Sequence, residues 1–146
     1  MKPARLYTLT DKYAYQQVFS RNSCKSGNRY FLLLARINQP EDPVTARQST
    51  HSRIGIVVSR KNVRKACQRH LIKRIVRESF RQTVNYPESS RSYQKLVPEY
   101  TSSVHKTFDC VFLARSAIPE LNKKELAALL NKAWNRLVIH IQGTNP

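Results

Sequence analysis

Between residues 60 and 81 the chain carries nine Lys or Arg residues and one acid, Glu78. This stretch constrains the fold more than any other. Read at about 100° per residue, Arg69, Lys73, Arg77 and Arg81 form an i, i+4 ladder with His70 and Arg74 beside it. Leu71, Ile72, Ile75 and Val76 fall on the other side. Stacking like charges four residues apart costs a helix a few tenths of a kcal/mol per pair. Packing of the aliphatic side must therefore hold this helix in place, and an anion must offset the repulsion on the other. Guanidinium forks at this spacing suit the phosphates of a nucleic acid, which they bind bidentately.

The rest of the composition points the same way. Twenty-six Lys and Arg against nine Asp and Glu give a net charge of +17 and a pI near 10.4. A compact domain with that excess repels itself, so a polyanionic partner is expected. The 146 residues suit one domain with a core of its own, here a single RNA-binding domain over 1–146. Met1-Lys2-Pro3-Ala4-Arg5 has no apolar stretch behind it, and the longest apolar run, 30–35, is far too short to span a bilayer. A soluble, cytoplasmic protein is expected, with no membrane partner. Cys24, Cys67 and Cys110 are odd in number, distant and without a C-x-x-C pair, as in reduced thiols without a metal role.

Along the chain, Thr10 reads as the N-cap of a short helix to about Ser20, with Tyr15, Val18 and Phe19 as its apolar positions. Residues 30–38 and 54–58 read as strands, the second with Gly55 inside it, and 39–51 as a loop. A long helix is predicted over 62–83. The Ser-, Tyr- and Pro-rich segment 85–107 reads as an exposed connection or insertion. A third strand over 108–114 is buried on both faces by its pattern. Asn122 and Glu125 form a capping box opening a last helix, whose apolar face is Leu126, Leu129, Leu130, Ala133, Trp134 and Leu137. The fold class is α+β: a small mixed sheet packed with three helices.

Tyr13, Tyr15, Phe19, Tyr30 and Phe31 lie within twenty residues of one another, among Arg21, Lys25 and Arg29. Such rings can stack unpaired bases, each worth roughly 1–3 kcal/mol. Their spacing alone favours core packing, with some rings lining a cleft between helix and sheet. Catalytic groups are sparse. Glu41 and Asp42 are the only adjacent acids, Glu78 reads as the helical partner of Arg74, and Asp109 as a capping or pairing acid. The four histidines show no ligand spacing, and three glycines cannot build a phosphate-cradling loop. No catalytic or metal-binding residue is expected in the protein.

The stretch from Arg60 to Arg81 resembles the signature helix of the bacterial ribonuclease P protein family. Around it, Arg5-Leu6, Tyr15-x-x-Val18-Phe19, Ile54-Gly55-Ile56-Val57-Val58-Ser59, Asp109-Cys110-Val111-Phe112-Leu113-Ala114-Arg115 and Trp134-x-x-Leu137 follow the family's order. The resemblance covers nearly the whole chain. It implies a ribosomal-protein-S5-domain-2-like fold with a left-handed crossover between parallel strands. It also implies a protein subunit that assists a catalytic RNA in removing the 5′ leader of precursor tRNA. Catalysis then belongs to the RNA, which binds most of the Mg2+; the protein holds none tightly and needs no obligate protein partner. Carried over, Arg60, Lys61, Arg64, Arg69, His70, Lys73, Arg74 and Arg77 are the expected RNA contacts. Tyr15, Phe19 and Phe31 are the expected leader cleft. Four departures stand out: Arg69-His70-Leu71 replaces the family's Arg-Asn-Arg, Tyr15 its usual Phe, the glycine often found shortly after Phe19 is missing, and 85–107 is longer than usual. The residues alone leave open a non-catalytic RNA-binding or ribosome-associated protein; a DNA reader is less suited, for lack of a helix-turn-helix.

Overall fold

The structure, a computed structural model, describes residues 8–37, 52–84 and 108–143. The expected loop 39–51 and connection 85–107 lie outside the described residues. The elements run α1 (Lys12–Ser20), β1 (Cys24–Gly27), β2 (Phe31–Ile37), β3 (Arg53–Val57), α2 (Ala66–Thr83), β4 (Phe108–Ala114), a 3-10 turn (Ile118–Glu120) and α3 (Lys123–Gly143). The sheet order is β1-β2-β4-β3. β2 pairs antiparallel with both β1 and β4, while β3 runs parallel to β4. This is the mixed sheet with three helices that the pattern implied.

Alternation along the strands sorts the side chains onto two faces. Phe31, Leu33 and Ala35 of β2, Ile54 of β3, and Phe108, Cys110, Phe112 and Ala114 of β4 face α2 and α3. There they meet Ile72, Val76 and Phe80 of α2 and Leu126, Leu130, Trp134 and Leu137 of α3. Phe80 stands edge-on to Trp134, ring centroids 5.3 Å apart, and Trp134 donates its indole N–H to Ser79 Oγ at 2.9 Å. Both the aromatic contact and the satisfied polar handle favour burial of this tryptophan. The opposite face is thinner. Leu9, Ala14 and Val18 pack on Leu34 and Val111, with Tyr15, Leu32 and Leu113 half-buried at the margin.

Local chemistry accounts for the element boundaries. Asp11, not the expected Thr10, caps α1: its carboxylate accepts from the Tyr13 N–H at 3.1 Å. Asn122 and Glu125 each accept from the other's backbone N–H, at 2.8 and 3.0 Å, completing the expected box at α3. Helix α2 begins at Ala66, four residues later than expected. Before it, Asn62 donates its side-chain amide to Ala114 O at 2.9 Å, and Val63 bonds Ser59 O at 2.9 Å while its side chain is fully buried. That turn is anchored to β4, so the helix cannot start sooner. β1 had no sequence signature, since Cys24-Lys25-Ser26-Gly27 lacks an apolar alternation. The Asn28 side chain creates it, accepting from the N–H of Tyr30 and Phe31 at 2.7 and 2.9 Å and reversing the chain onto β2.

Candidate nucleic-acid interface

Helix α2 has its aliphatic side in the core and its cations outside. Ile72, Val76 and Phe80 are buried, whereas His70, Arg74 and Arg77 are exposed and Lys73 is half-exposed. A spacing of four residues advances about 40° beyond a full turn. The ladder beginning at Arg69 therefore drifts from the flank of the core out to the open side. Arg69, at its inner end, is half-buried and donates to the carbonyls of Val63 and Arg64 at 2.9 and 2.8 Å. It clamps the preceding turn to the helix, so the expected free RNA contact is corrected to a structural one in part. Arg81, at the outer end, is paired with Glu78.

Glu78 was expected to partner Arg74. Its carboxylate instead accepts from Arg81 and, at 3.2 Å, from Gln82. The hydrogen bond from Arg81 holds the carboxyl below its ordinary range, against a smaller opposing effect of desolvation. The only acid of α2 is therefore committed to Arg81 and Gln82 rather than to Arg74 of the strip formed by His70, Lys73, Arg74 and Arg77. Arg60, Lys61 and Arg64 are exposed as well, but they sit in the turn before α2 rather than on the helix. The strip continues from helix into turn.

The second surface lies on the face that carries α1. Three rows cross the sheet there. Arg36, Asp109 and Arg53 make the first, Lys25, Leu34, Val111 and Gly55 the second, and Gly27, Leu32, Leu113 and Val57 the third. The first is closed by an ion pair, Arg53 donating to both Asp109 oxygens at 3.0 and 2.7 Å in near-complete burial. The second lies beneath α1. The third is only partly covered: Leu32 and Leu113 are half-buried and Val57 is 38% exposed.

Tyr15 is seated on Gly55 beside that open row. A Cβ built on Gly55 would sit 2.5 Å from the Tyr15 ring and hydroxyl, closer than atoms can approach. Only glycine leaves the ring room to lie on the strand, which gives physical content to the lone glycine of 54–58. A backbone hydrogen bond with Ile56 holds the phenol; burial raises its pKa, and that bond partly offsets the rise. Phe19, one helical turn on, is 46% exposed, and Tyr13 is 48% exposed. Phe31 does not join them. It is 1% exposed on the opposite face, against Phe112 with centroids 5.1 Å apart. Strand alternation sends it to the core rather than to the expected leader cleft. Arg115, unassigned from sequence, donates to Asn28 O at 2.6 Å and lies beside Gly27 at the end of the open row.

Among the described residues no three His, Cys, Asp or Glu side chains gather where they could hold a metal ion. None of their helices is long and apolar enough to cross a membrane. The surface therefore offers cations and aromatic rings.

The family model for ribonuclease P matches residues 4–138. The chain belongs to the ribonuclease P family. The ribonuclease P protein component of Marinomonas sp. (strain MWYL1) is 37% identical over 123 residues, covering 84% of this chain and 73% of that protein. Two solved structures share the fold. The RNase P protein of Thermotoga maritima is 26% identical, with a TM-score of 0.52 over 86% of this chain and 96% of that one. That of Staphylococcus aureus is 21% identical, with a TM-score of 0.61 over 90% and 94%. His70 and Leu71 divide the departure from Arg-Asn-Arg between them: His70 is exposed on the strip, while Leu71 is half-buried.

Proposed function

We propose that this chain is the protein subunit of a bacterial ribonuclease P, binding the catalytic RNA and the 5′ leader of precursor tRNA in the cytoplasm. The observation that carries the reading is the strip of His70, Lys73, Arg74 and Arg77 on a helix otherwise sealed into the core, in a member of this family. In this reading the RNA subunit supplies the active site and holds the Mg2+ that hydrolysis needs. The chain's own residues bind and orient. Cations of the strip and of the turn 60–64 neutralise backbone phosphates of the catalytic RNA, which fixes the relative position of the two subunits. Tyr15, with its ring held on Gly55, and Phe19, exposed beside it, offer faces on which unpaired leader bases stack. The half-open floor of Leu32, Leu113 and Val57 lies beside these rings and supplies apolar surface for the same strand.

Reconstitution tests the assignment. Adding the purified protein to catalytic RNA from the same source is expected to restore 5′ leader cleavage at low Mg2+. If an RNA known to be active gains nothing from the protein, the assignment is wrong. Competition between precursor tRNA, mature tRNA and duplex DNA completes the test. Preference for the leader-bearing RNA is expected, and equal affinity for all three would mark a general nucleic-acid binder.

A further inference from the structure

Tyr15 brings a hydroxyl to the half-open row, and the reading above uses only its ring. The contact that seats the ring also fixes this oxygen, which lies 2.5 Å from where a Cβ on Gly55 would stand. The next side chain on the same face of β3 is Val57, about 7 Å along the strand and 38% exposed. The hydroxyl therefore stands at the β3 end of the row that Val57 shares with Leu113 and Leu32. β3 is an edge strand. The Leu9 N–H bonds the Ile54 carbonyl on its outer side at 2.9 Å, and by strand alternation Ile56 turns its peptide groups the same way. The Tyr15 hydroxyl meets that outer edge through its hydrogen bond with Ile56. The bond favours the phenolate, so the phenol oxygen accepts and the Ile56 N–H donates. A phenol has one O–H to donate besides. Burial keeps that proton on the oxygen at neutral pH, and among the described residues none accepts it.

We propose that the Tyr15 hydroxyl donates this proton to an acceptor on the edge of a leader base, which makes Tyr15 a specificity-determining residue as well as a stacking one. The inference rests on the leader-binding reading above. The surroundings suit a base rather than a phosphate. The adjoining floor of Val57, Leu113 and Leu32 is apolar and half-open, and takes the flat face of a base. A base lying there turns its edge, which carries the ring nitrogens and carbonyls, toward the hydroxyl. The charged row of Arg36, Asp109 and Arg53 lies on the other side of Gly55. With the Ile56 N–H already on its oxygen, the hydroxyl is left as a donor. It selects a base with an acceptor at that point, whereas a base with an N–H there sets donor against donor.

The test uses the holoenzyme, full-length protein with catalytic RNA from the same source. It cleaves mixtures of precursor tRNAs in which one leader position at a time carries all four bases, and relative kcat/KM is read for each base. The wild type should show a preference of about three- to tenfold at one leader position, the worth of one neutral hydrogen bond. Tyr15→Phe keeps the ring and should flatten that preference while leaving other positions unchanged. Because the four bases compete within one reaction, partial loss of folded enzyme cancels from the ratio. Tyr13→Phe is the control: two residues along a helix turn about 200°, so Tyr13, 48% exposed, points away from the row and the preference should persist. No preference in the wild type, an unchanged one in Tyr15→Phe, or the same loss in Tyr13→Phe would overturn the inference. A uniform loss for all bases and positions would overturn it as well, and would assign the hydroxyl to the leader backbone. Absence of cleavage by the wild-type holoenzyme would sink the ribonuclease P reading and this inference with it. Cleavage without a Tyr15-dependent preference sinks this inference alone.

Discussion

The two faces of the sheet come from the same four strands, yet only one, the face without Lys25, Arg36, Arg53 and Asp109, is closed. Two helices of 18 and 21 residues cover the face of Phe31, Phe108 and Phe112. A single helix of nine residues covers the other. That one helix, about 10–12 Å across with its side chains, lies over Leu34 and Val111 and leaves the row of Leu32, Leu113 and Val57 half-open. What one face gains in stability the other leaves available for a ligand. The same division recurs within α2, whose inner side is committed to the core and whose outer side is left to anions.

The sharpest way to break this contrast is to truncate one aromatic ring on each face. Phe31→Ala should cost about 3–5 kcal/mol, as for large buried aromatics, read from the urea midpoint. Phe19→Ala should leave that midpoint within about 0.5 kcal/mol, as for exposed positions, while weakening leader binding. If Phe31→Ala instead spared stability and lost the leader, the faces would be wrongly assigned. The ion pair closing the first row is next. Arg53→Met leaves the Asp109 carboxylate buried and unpaired, and a loss of about 3 kcal/mol is expected. A loss below 1 kcal/mol would mean the pair is solvated.

Gly55→Ala probes the seat of Tyr15. The added methyl must displace the ring, at about 1–3 kcal/mol for overpacking. In a Tyr15→Ala background the same change should cost almost nothing, since the clashing partner is gone. Equal costs in both backgrounds would show that the strand, not the ring, rejects the methyl. On α2, Arg69→Ala and Arg77→Ala should separate the two roles of its cations. The first should lose about 1.5–3 kcal/mol of stability through its bonds to Val63 and Arg64 carbonyls. The second should lose RNA affinity with the melting curve unchanged. The smallest effect belongs to Glu78→Gln, which releases Arg81 from an exposed pair worth less than about 1 kcal/mol and should tighten RNA binding slightly. Because the Glu78 pKa is lowered in the folded state, its contribution is present above its unfolded pKa and fades as pH falls through the folded one. In Glu78→Gln that small acid-limb loss should vanish.

Much of this arrangement was legible in the sequence. The aliphatic and basic sides of α2, the doubly buried β4 and the Asn122 capping box all follow from periodicity or local chemistry, and the structure has them. Period-2 alternation also separates Phe31 from the α1 face, but that requires knowing which strand face α1 covers, a tertiary fact. β1 was invisible because its pairing is imposed by the Asn28 turn rather than by its own residues. The ladder winds by about a third of a turn over three steps, and only the structure shows that Arg69 falls at its inner end, against the Val63 and Arg64 carbonyls. Gly55 carried a signal, a glycine in an apolar strand, whose meaning became specific only with Tyr15 above it.

The outward side of α2 is most directly tested by the salt dependence of RNA binding. With about five phosphates neutralised, log K for single-stranded RNA should fall with log salt at a slope near −3.5, at about 0.7 per contact. Replacing Lys73, Arg74 and Arg77 together by Ala should bring it to about −1.4, with folding intact. A slope unchanged by that triple substitution would mean these cations merely face solvent, and the account of α2 as an RNA grip would be contradicted.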